Sequence, residues 1–326
     1  MIAMVKANAY GHGLVDVART LAPEAFGVAR LEEGLILRNA QISQPVILME
    51  GCPNLVDMKV ALDNGFEMVI HAPYQVDLLL SQISSLSPPA VVWIKLNTGM
   101  NRLGFTENTW SKLIGHPQIK IKGFMTHFAC ADEPDATFTL AQKARFDDLL
   151  SSLNVIKSAA NSAAILNYPN THYDWVRPGL MLYGASPFAN QTGHSHGLKP
   201  VMKLTTQVIA LHSLAANEYI GYGATFKTSQ ATQIAIAAIG YGDGYPWSAT
   251  HQTPIIVNNQ RARIVGRVAM DMIAIDITSL TGVQLGDEVE CWGPQLPIEQ
   301  VAQSCHTIAY ELMCRLTSRV QWVHEA

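Results

Sequence analysis

The chain has 326 residues, of which 48% are hydrophobic and 15% are charged, so it can bury the core of a barrel-sized domain together with a second domain. Its formal net charge of −4 and its lack of Lys- or Arg-rich runs argue against a nucleic acid partner, because no row of phosphates could be neutralised. No apolar stretch approaches the roughly 18 residues of a membrane span, and the N-terminus lacks the pattern of a signal peptide, so no membrane partner is expected.

The five cysteines are an odd number and have no paired spacing, so they predict free thiols rather than a disulfide framework. Free thiols are typical of a reducing compartment, and we expect the protein to be cytoplasmic. The cysteines are Cys52, Cys130, Cys291, Cys305 and Cys314.

Short apolar runs rich in Val, Ile and Met recur through the first half of the chain, and segments with helical apolar spacing, such as 14–22 and 74–83, lie between them. The eight runs are 1–5, 26–29, 45–49, 67–70, 90–96, 121–127, 155–160 and 173–176. Alternating strands and helices predict a parallel sheet. Eight such units in so short a stretch favour a (β/α)8 TIM-type barrel over an open sheet.

After about residue 200 the pattern changes to longer strands with alternating apolar residues, which predicts a mainly β C-terminal domain. The predicted strands lie within 203–214, 232–242, 253–278 and 287–293, and one helix is predicted over 298–316. The Gly/Ser/His-rich segment 190–200 has no apolar periodicity and joins the two domains, which we place at 1–195 and 196–326. His194 and His196 in this segment are expected to be solvated rather than metal ligands, and no metal site is expected.

Lys6 ends the first predicted strand, in the stretch AMVKANAYGHG. In a parallel barrel the C-terminal ends of the strands carry the chemistry, so Lys6 is expected at the barrel mouth. A lysine there needs a carboxylate partner or a covalent role, because an unpaired buried ammonium tends to lose its proton. Taken alone, the position suits a structural lysine in an ion pair, whereas a deprotonated lysine would suit Schiff-base chemistry.

Other polar residues occupy the same end of later strands. They are Lys95, Arg102, His127, Ser162, Arg177 and Gly179. Ser162 and the turn 177–180 follow strands seven and eight, where such barrels often bind phosphate. Each residue has an ordinary structural explanation of its own, but together they provide an amine, a phosphate cradle and cationic groups. A pyridoxal phosphate enzyme needs these three features.

Eight motifs, in their order and spacing, resemble those of bacterial alanine racemase. They are VKANAYGHG, KLNTGMNRLGF, THFA, WVRPGLMLYG, GYGATF, IGYGDGYP, IVGRVAMDM and AYELMCRLTSRV. The set spans essentially the whole chain and is specific, although a short motif such as THFA says little alone. The resemblance implies a pyridoxal phosphate enzyme of fold type III that interconverts L- and D-alanine, for peptidoglycan synthesis or for alanine catabolism.

The resemblance also implies two catalytic bases. Lys6 matches the lysine that holds pyridoxal phosphate covalently and acts as one base, and Tyr222 matches a second base contributed by the partner subunit. The implied protein is a homodimer with shared active sites. Bases on opposite faces of the alanine Cα allow inversion, because one removes a proton while the other returns one. A phenol has a pKa of about 10, so a tyrosine base needs support, which a network from Tyr222 through His127 to Arg177 would supply.

Cofactor and substrate contacts follow from the same resemblance. Arg177 matches an arginine that faces the pyridine nitrogen, and Lys95 matches a lysine that is often carbamylated. The residues that match phosphate contacts are Tyr10, Ser162, Gly179, Leu180 and Tyr310, and His127 is also expected among the cofactor-binding residues. The residues that match substrate contacts are Arg102, Met270 and Asp271.

The N-terminus departs from the family pattern. Members usually carry about thirty residues before the lysine motif, whereas Lys6 follows only five, so either the natural start lies upstream or the chain is truncated. If this were the whole polypeptide, a strand of the β domain would be missing and an edge would be unpaired. Two other functions stay open on the sequence. A racemase of broader specificity would carry the same motifs, and a non-catalytic pyridoxal phosphate-binding protein would keep Lys6 but would not need Tyr222. A decarboxylase is disfavoured, because it should place a carboxylate where Arg177 stands.

Overall fold

The computed structural model describes residues 1–83 and 88–324, which form two compact units. The first, called here the barrel unit, comprises Met1–Leu182 and Pro187–Ala189. The second, called the β unit, comprises Tyr183–Ser186 and the described residues from Asn190 onward. No helix in the described ranges is long and apolar enough to cross a lipid bilayer.

Strands and helices alternate along most of the barrel unit, with a short 3-10 helix, Asn108–Leu113, in place of an α-helix between β5 and β6. Within the described residues the unit has seven strands, which are parallel and hydrogen-bonded in chain order. The strands are β1 (Ile2–Met4), β2 (Ala25–Val28), β3 (Val46–Leu48), β4 (Glu67–Ile70), β5 (Ala90–Lys95), β6 (Ile119–Met125) and β7 (Lys157–Ser158). The helices are α1 (Lys6–Tyr10), α2 (Leu14–Thr20), α3 (Leu31–Asn39), α4 (Leu55–Asp63), α5 (Pro73–Gln82), α6 (Thr137–Leu149) and α7 (Ser162–Asn167). This curled parallel sheet confirms the predicted barrel-type fold.

The parallel strands are buried, as the near-continuous apolar composition of their sequences predicts. All three residues of β3 are fully inaccessible to solvent. α5 begins with Pro73, whose missing N–H is not needed in a first helical turn, and it buries Val76 and Leu79. The closely packed strands form a rigid support for the side chains that follow their C-terminal ends.

The predicted eighth strand, 173–176, is not a regular strand. Trp175 forms a single parallel bridge to Ser158, and the amide of Met4 donates to the carbonyl oxygen of Pro178 (3.0 Å). Pro178 has no N–H, so it cannot return the hydrogen bond to β1 that a parallel ladder requires. The segment therefore lies between β7 and β1 and closes the ring of strands without extending the ladder.

The β unit contains an antiparallel barrel, which confirms the prediction of a mainly β domain. Its strands are β8 (Leu204–Leu214), β9 (Tyr219–Ile220), β10 (Phe226–Lys227), β11 (Thr232–Ala237), β12 (Pro254–Val257), β13 (Gln260–Val265), β14 (Ile273–Asp276) and β15 (Glu288–Trp292). Six of them close in the order β11, β14, β13, β12, β15, β8, and β9 pairs with β10. The expectation of an unpaired edge is wrong for this barrel, because β8 and β11 pair with each other.

The single helix predicted over 298–316 is divided into α8 (Ile298–Ser304) and α9 (Ala309–Cys314). After α8, His306 adopts a φ of 54°, and the amide of Thr307 returns to the carbonyl oxygen of Ala302 (2.9 Å). A left-handed residue with a returning hydrogen bond is a common helix terminus. The apolar periodicity continues through this turn, which is why the sequence pattern predicts one helix.

Candidate active site

Lys6 lies two residues after the end of β1, at the C-terminal end of the parallel strands, and its side chain is exposed. Residues 7–10, which with Lys6 form the short element α1, all have φ between 52° and 54°, in the left-handed region, so α1 is a left-handed turn rather than a regular α-helix. This conformation costs roughly 1–2 kcal/mol per residue that has a side chain, so it persists only where the surroundings hold it. Asn8 Oδ1 accepts a hydrogen bond from the amide of Leu14 (2.8 Å), and Gly11, with a φ of 81°, ends the turn. The backbone after Lys6 is therefore held in one unusual conformation.

Lys95 is the last residue of β5 and is buried. The pKa of its amine is lowered to about 7, mainly by burial and in addition by the positive charges of Arg177, Arg102 and Lys6. The carboxylate of Glu50 acts in the opposite direction. The structure thus brings together the four cationic side chains predicted for the barrel mouth.

Arg177 is only 3% exposed, and protein acceptors hold its guanidinium. Nη1 donates to Ser158 Oγ (2.7 Å), and Nη2 donates to the carbonyl oxygens of Thr126 (2.5 Å) and Ala159 (3.1 Å). Nη2 also lies 3.3 Å from Nδ1 of His127. Among the described residues, Nε–H of Arg177 has no acceptor, so this donor remains available for a ligand.

The phosphate-binding residues predicted in the barrel unit lie together. Ser162 Oγ accepts hydrogen bonds from the amides of Gly179 (2.9 Å) and Met181 (3.3 Å). A Cβ atom at Gly179 would lie 2.5 Å from the hydroxyl oxygen of Tyr10, so the close approach requires glycine. Leu180 is buried next to them in the chain. Ser162, Gly179 and Tyr10 therefore converge in one small region of the barrel mouth.

The other predicted site residues belong to the β unit, whereas Lys6 belongs to the barrel unit. Tyr222 is 73% exposed in a short turn, and Met270 is 52% exposed. Asp271 accepts a hydrogen bond from Arg319 (2.8 Å), and Tyr310 lies in α9. The structure therefore describes these residues within the β unit.

A buried amide network behind the mouth was not predicted from the sequence. Gln142 of α6 is 1% exposed, and its Nε2 donates to the carbonyl oxygen of His127 (2.9 Å) and to Thr98 Oγ1 (3.1 Å). Its Oε1 accepts from the amide of Ala129 (2.9 Å). Thr98 Oγ1 also contacts Thr126 Oγ1 (2.8 Å). The network joins the segments that follow β5 and β6, but its partners are distant in sequence, and a helical glutamine is too common to reveal them.

The residues of the mouth fit pyridoxal phosphate in three respects. The Lys6 amine can bond covalently to an aldehyde carbon, and the spare Nε–H of Arg177 can donate to an aromatic ring nitrogen. The Ser162 hydroxyl, with the open backbone at Gly179, suits a phosphate group. Nothing larger than glycine fits at position 179 beside Tyr10. The backbone of Gly179 is therefore not covered by a side chain of its own and can be approached by a ligand.

Family models match both units of the chain. The model for "Alanine racemase, N-terminal domain" matches residues 1–187, and the model for "Alanine racemase, C-terminal domain" matches residues 201–324. Together the two models cover most of the sequence.

Individual relatives and solved structures match over nearly the full length. An alanine racemase of Shewanella woodyi is 44% identical across 98% of this chain and 90% of the relative, and one of Nitrosococcus oceani is 45% identical across 98% and 91%. The structure of a biosynthetic alanine racemase from Pseudomonas aeruginosa matches with a TM-score of 0.94 and 40% identity, covering 99% of this chain and 92% of that one. An alanine racemase from Acinetobacter baumannii matches with a TM-score of 0.90 and 45% identity, covering 98% and 90%.

Proposed function

This chain belongs to the alanine racemase family, and we propose that it interconverts L- and D-alanine by proton transfers at Lys6 and at Tyr222 of a second copy. The observation that carries the proposal is the family match across both units, together with the position of Lys6 among the cations of the barrel mouth. When bound, pyridoxal phosphate supplies the electron sink that makes the Cα–H of alanine acidic.

Five residues of the barrel unit would hold the cofactor. Lys6 would bond to it covalently, and Ser162, Gly179 and Tyr10 would contact its phosphate. Arg177 would donate a hydrogen bond to the ring nitrogen. Burial lowers the pKa of Arg177 to about 10, so its guanidinium still keeps its proton near neutral pH and cannot act as an acid toward that nitrogen.

Lys6 and Tyr222 would act on opposite faces of the alanine Cα. One group removes the proton while the other returns a proton to the opposite face, so the configuration inverts. The Tyr222 side chain is 73% exposed in the single chain, so it is free to contact a second copy. We therefore infer a homodimer in which each copy completes the site of the other and excludes bulk water from the proton transfers.

The positive charges at the barrel mouth favour binding of the substrate carboxylate. Arg102 would bind it, and Met270 and Asp271 of the second copy would border the same region. Lys95 would carry a carbamate, whose negative charge offsets the neighbouring arginines. The reaction would supply D-alanine for peptidoglycan or serve alanine catabolism, and the five free cysteines favour a cytoplasmic site.

The substitution Tyr222→Phe tests the second base. Because only the hydroxyl is lost, we expect racemisation to fall by about 100-fold or more while the visible absorption band of bound pyridoxal phosphate is retained. The matched control is Tyr219→Phe, since Tyr219 is also exposed (62%) and its ring, which the substitution keeps, lies 5.4 Å from Nζ of Lys227. Full activity in Tyr222→Phe would show that another group is the second base.

A further inference from the structure

Glu33 of α3 joins the backbone after Lys6 to the end of the neighbouring strand. Its Oε1 accepts a hydrogen bond from the amide of Ala7 (2.6 Å). Its Oε2 accepts from the amides of Ala29 (2.8 Å) and Arg30 (3.2 Å), which follow β2. One carboxylate thus uses both oxygens to hold two adjacent strand ends.

The amide that Glu33 holds belongs to the peptide bond between Lys6 and Ala7. It is the first peptide of the left-handed turn over residues 7–10, where every residue has a side chain. Such a turn relaxes readily when its external contacts are removed, because each residue favours the right-handed region. The orientation of Lys6 depends on this peptide, because the ψ angle of Lys6 is defined by the rotation between the Lys6 Cα and the plane of the Lys6–Ala7 peptide.

We propose that Glu33 is a positioning residue that sets the direction of the Lys6 side chain at the barrel mouth. The inference rests on the proposed function, in which the Lys6 amine bonds to the cofactor and carries a proton. A charged acceptor suits this task, because hydrogen bonds to a carboxylate are stronger than those to a neutral oxygen. The same carboxylate anchors the first turn of α3 through Arg30, so both turns share one anchor.

A role limited to the helix start gives a different expectation. If Glu33 only stabilises α3, its loss lowers thermal stability and leaves the chemistry of Lys6 unchanged. Asn54 provides the comparison, because its side chain accepts a hydrogen bond from the amide of Asp57 (2.9 Å) and caps α4. Removing that cap also weakens a barrel helix but touches no residue of the turn after Lys6.

The experiment compares Glu33→Gln and Glu33→Ala with two controls, Glu32→Gln and Asn54→Ala, in the full chain. Glu32 is the exposed neighbour of Glu33. For each protein we would measure the melting temperature, kcat and KM for L-alanine, and the rate at which the visible absorption band forms when pyridoxal phosphate is added. The band reports the bond to Lys6 directly and needs no turnover.

Both Glu33 variants are expected to form the band more slowly than the wild type and to turn over about 10- to 100-fold more slowly, with KM nearly unchanged, because the reacting amine is displaced. Asn54→Ala should lower the melting temperature but leave kcat, KM and the rate of band formation unchanged. Glu32→Gln should match the wild type in all four. Wild-type band formation and kcat in a folded Glu33→Ala would overturn the inference. If Glu33→Ala does not fold, Glu33→Gln decides, since its single acceptor oxygen cannot hold the amides of Ala7, Ala29 and Arg30 together as the carboxylate does.

A separate measurement on the wild type tests the proposed role of Lys6 independently of Glu33. Borohydride reduction of the wild type with pyridoxal phosphate, followed by peptide mass mapping, should label Lys6. A label elsewhere, or none, would refute the proposed role of Lys6. A label at Lys6, with Glu33 variants that behave as the wild type, would refute only the inference about Glu33.

Discussion

Nη2 of Arg177 lies 3.3 Å from Nδ1 of His127, which places a permanent cation against a buried imidazole. A guanidinium only donates hydrogen bonds, so Nδ1 must accept and the ring hydrogen must be on Nε2. Burial holds the pKa of His127 well below its usual value, and the charges of Arg177 and Lys95 act in the same direction. His127 is therefore neutral near pH 7 and can donate one hydrogen bond while it accepts another.

The neutral state of His127 predicts a loss of stability in acid. Below about pH 6.5 a histidine in the unfolded chain takes up a proton that folded His127 does not, so the free energy of unfolding falls as pH falls. The slope from one such group is at most about 1.4 kcal/mol per pH unit. The pKa values of His12 and His71 are also lowered by burial, so they contribute with the same sign.

Urea unfolding of His127→Gln and of the wild type, at about pH 7.5 and about pH 5.5, checks this expectation. The variant should lose less stability between the two pH values, because it has no proton to take up on unfolding. An equally steep decline in both proteins would show that His127 is not held neutral.

Burial, together with nearby positive charges, lowers the pKa of Lys95 to about 7. Near neutrality much of this amine is uncharged, so its nitrogen can bond to carbon dioxide and release a proton to give a carbamate. The neutral fraction increases as pH rises through about 7, and carbamate formation should increase with it. The anionic product would be stabilised by Arg102 and Arg177, both of which act on Lys95 in the structure.

Carbon-13 NMR in labelled bicarbonate measures this modification. The wild type should show a carbamate resonance that strengthens from about pH 6 to about pH 8, and Lys95→Met should lack it. A resonance that persists in Lys95→Met would assign the carbamate to another amine, and no resonance in the wild type would contradict the prediction.

The fold follows from the sequence wherever a local pattern decides it. The apolar strands of the barrel unit and the helices between them, such as α2 and α5, lie where the spacing predicts them. The pattern fails at 173–176, because Pro178 removes one donor from the ladder. It also fails within 298–316, where a left-handed His306 ends a helix although the apolar periodicity continues.

Less of the site can be predicted, because its geometry depends on contacts between distant segments. The residue types and strand-end positions indicate that Lys6, Lys95 and Arg177 lie near one another. By contrast, the hydrogen bonds from Gln142 to the carbonyl oxygen of His127 and from the amide of Ala7 to Glu33 form only when helices pack against strand ends. The left-handed turn after Lys6 is also a tertiary feature, since its alanines and tyrosine favour the right-handed region.

The most direct test of the account is the formation of D-alanine from L-alanine by the purified chain with pyridoxal phosphate. D-alanine should accumulate until the two enantiomers are equal, because they have the same free energy in water, and Lys6→Ala should abolish the reaction. A folded chain that binds pyridoxal phosphate at Lys6 yet forms no D-alanine would contradict it.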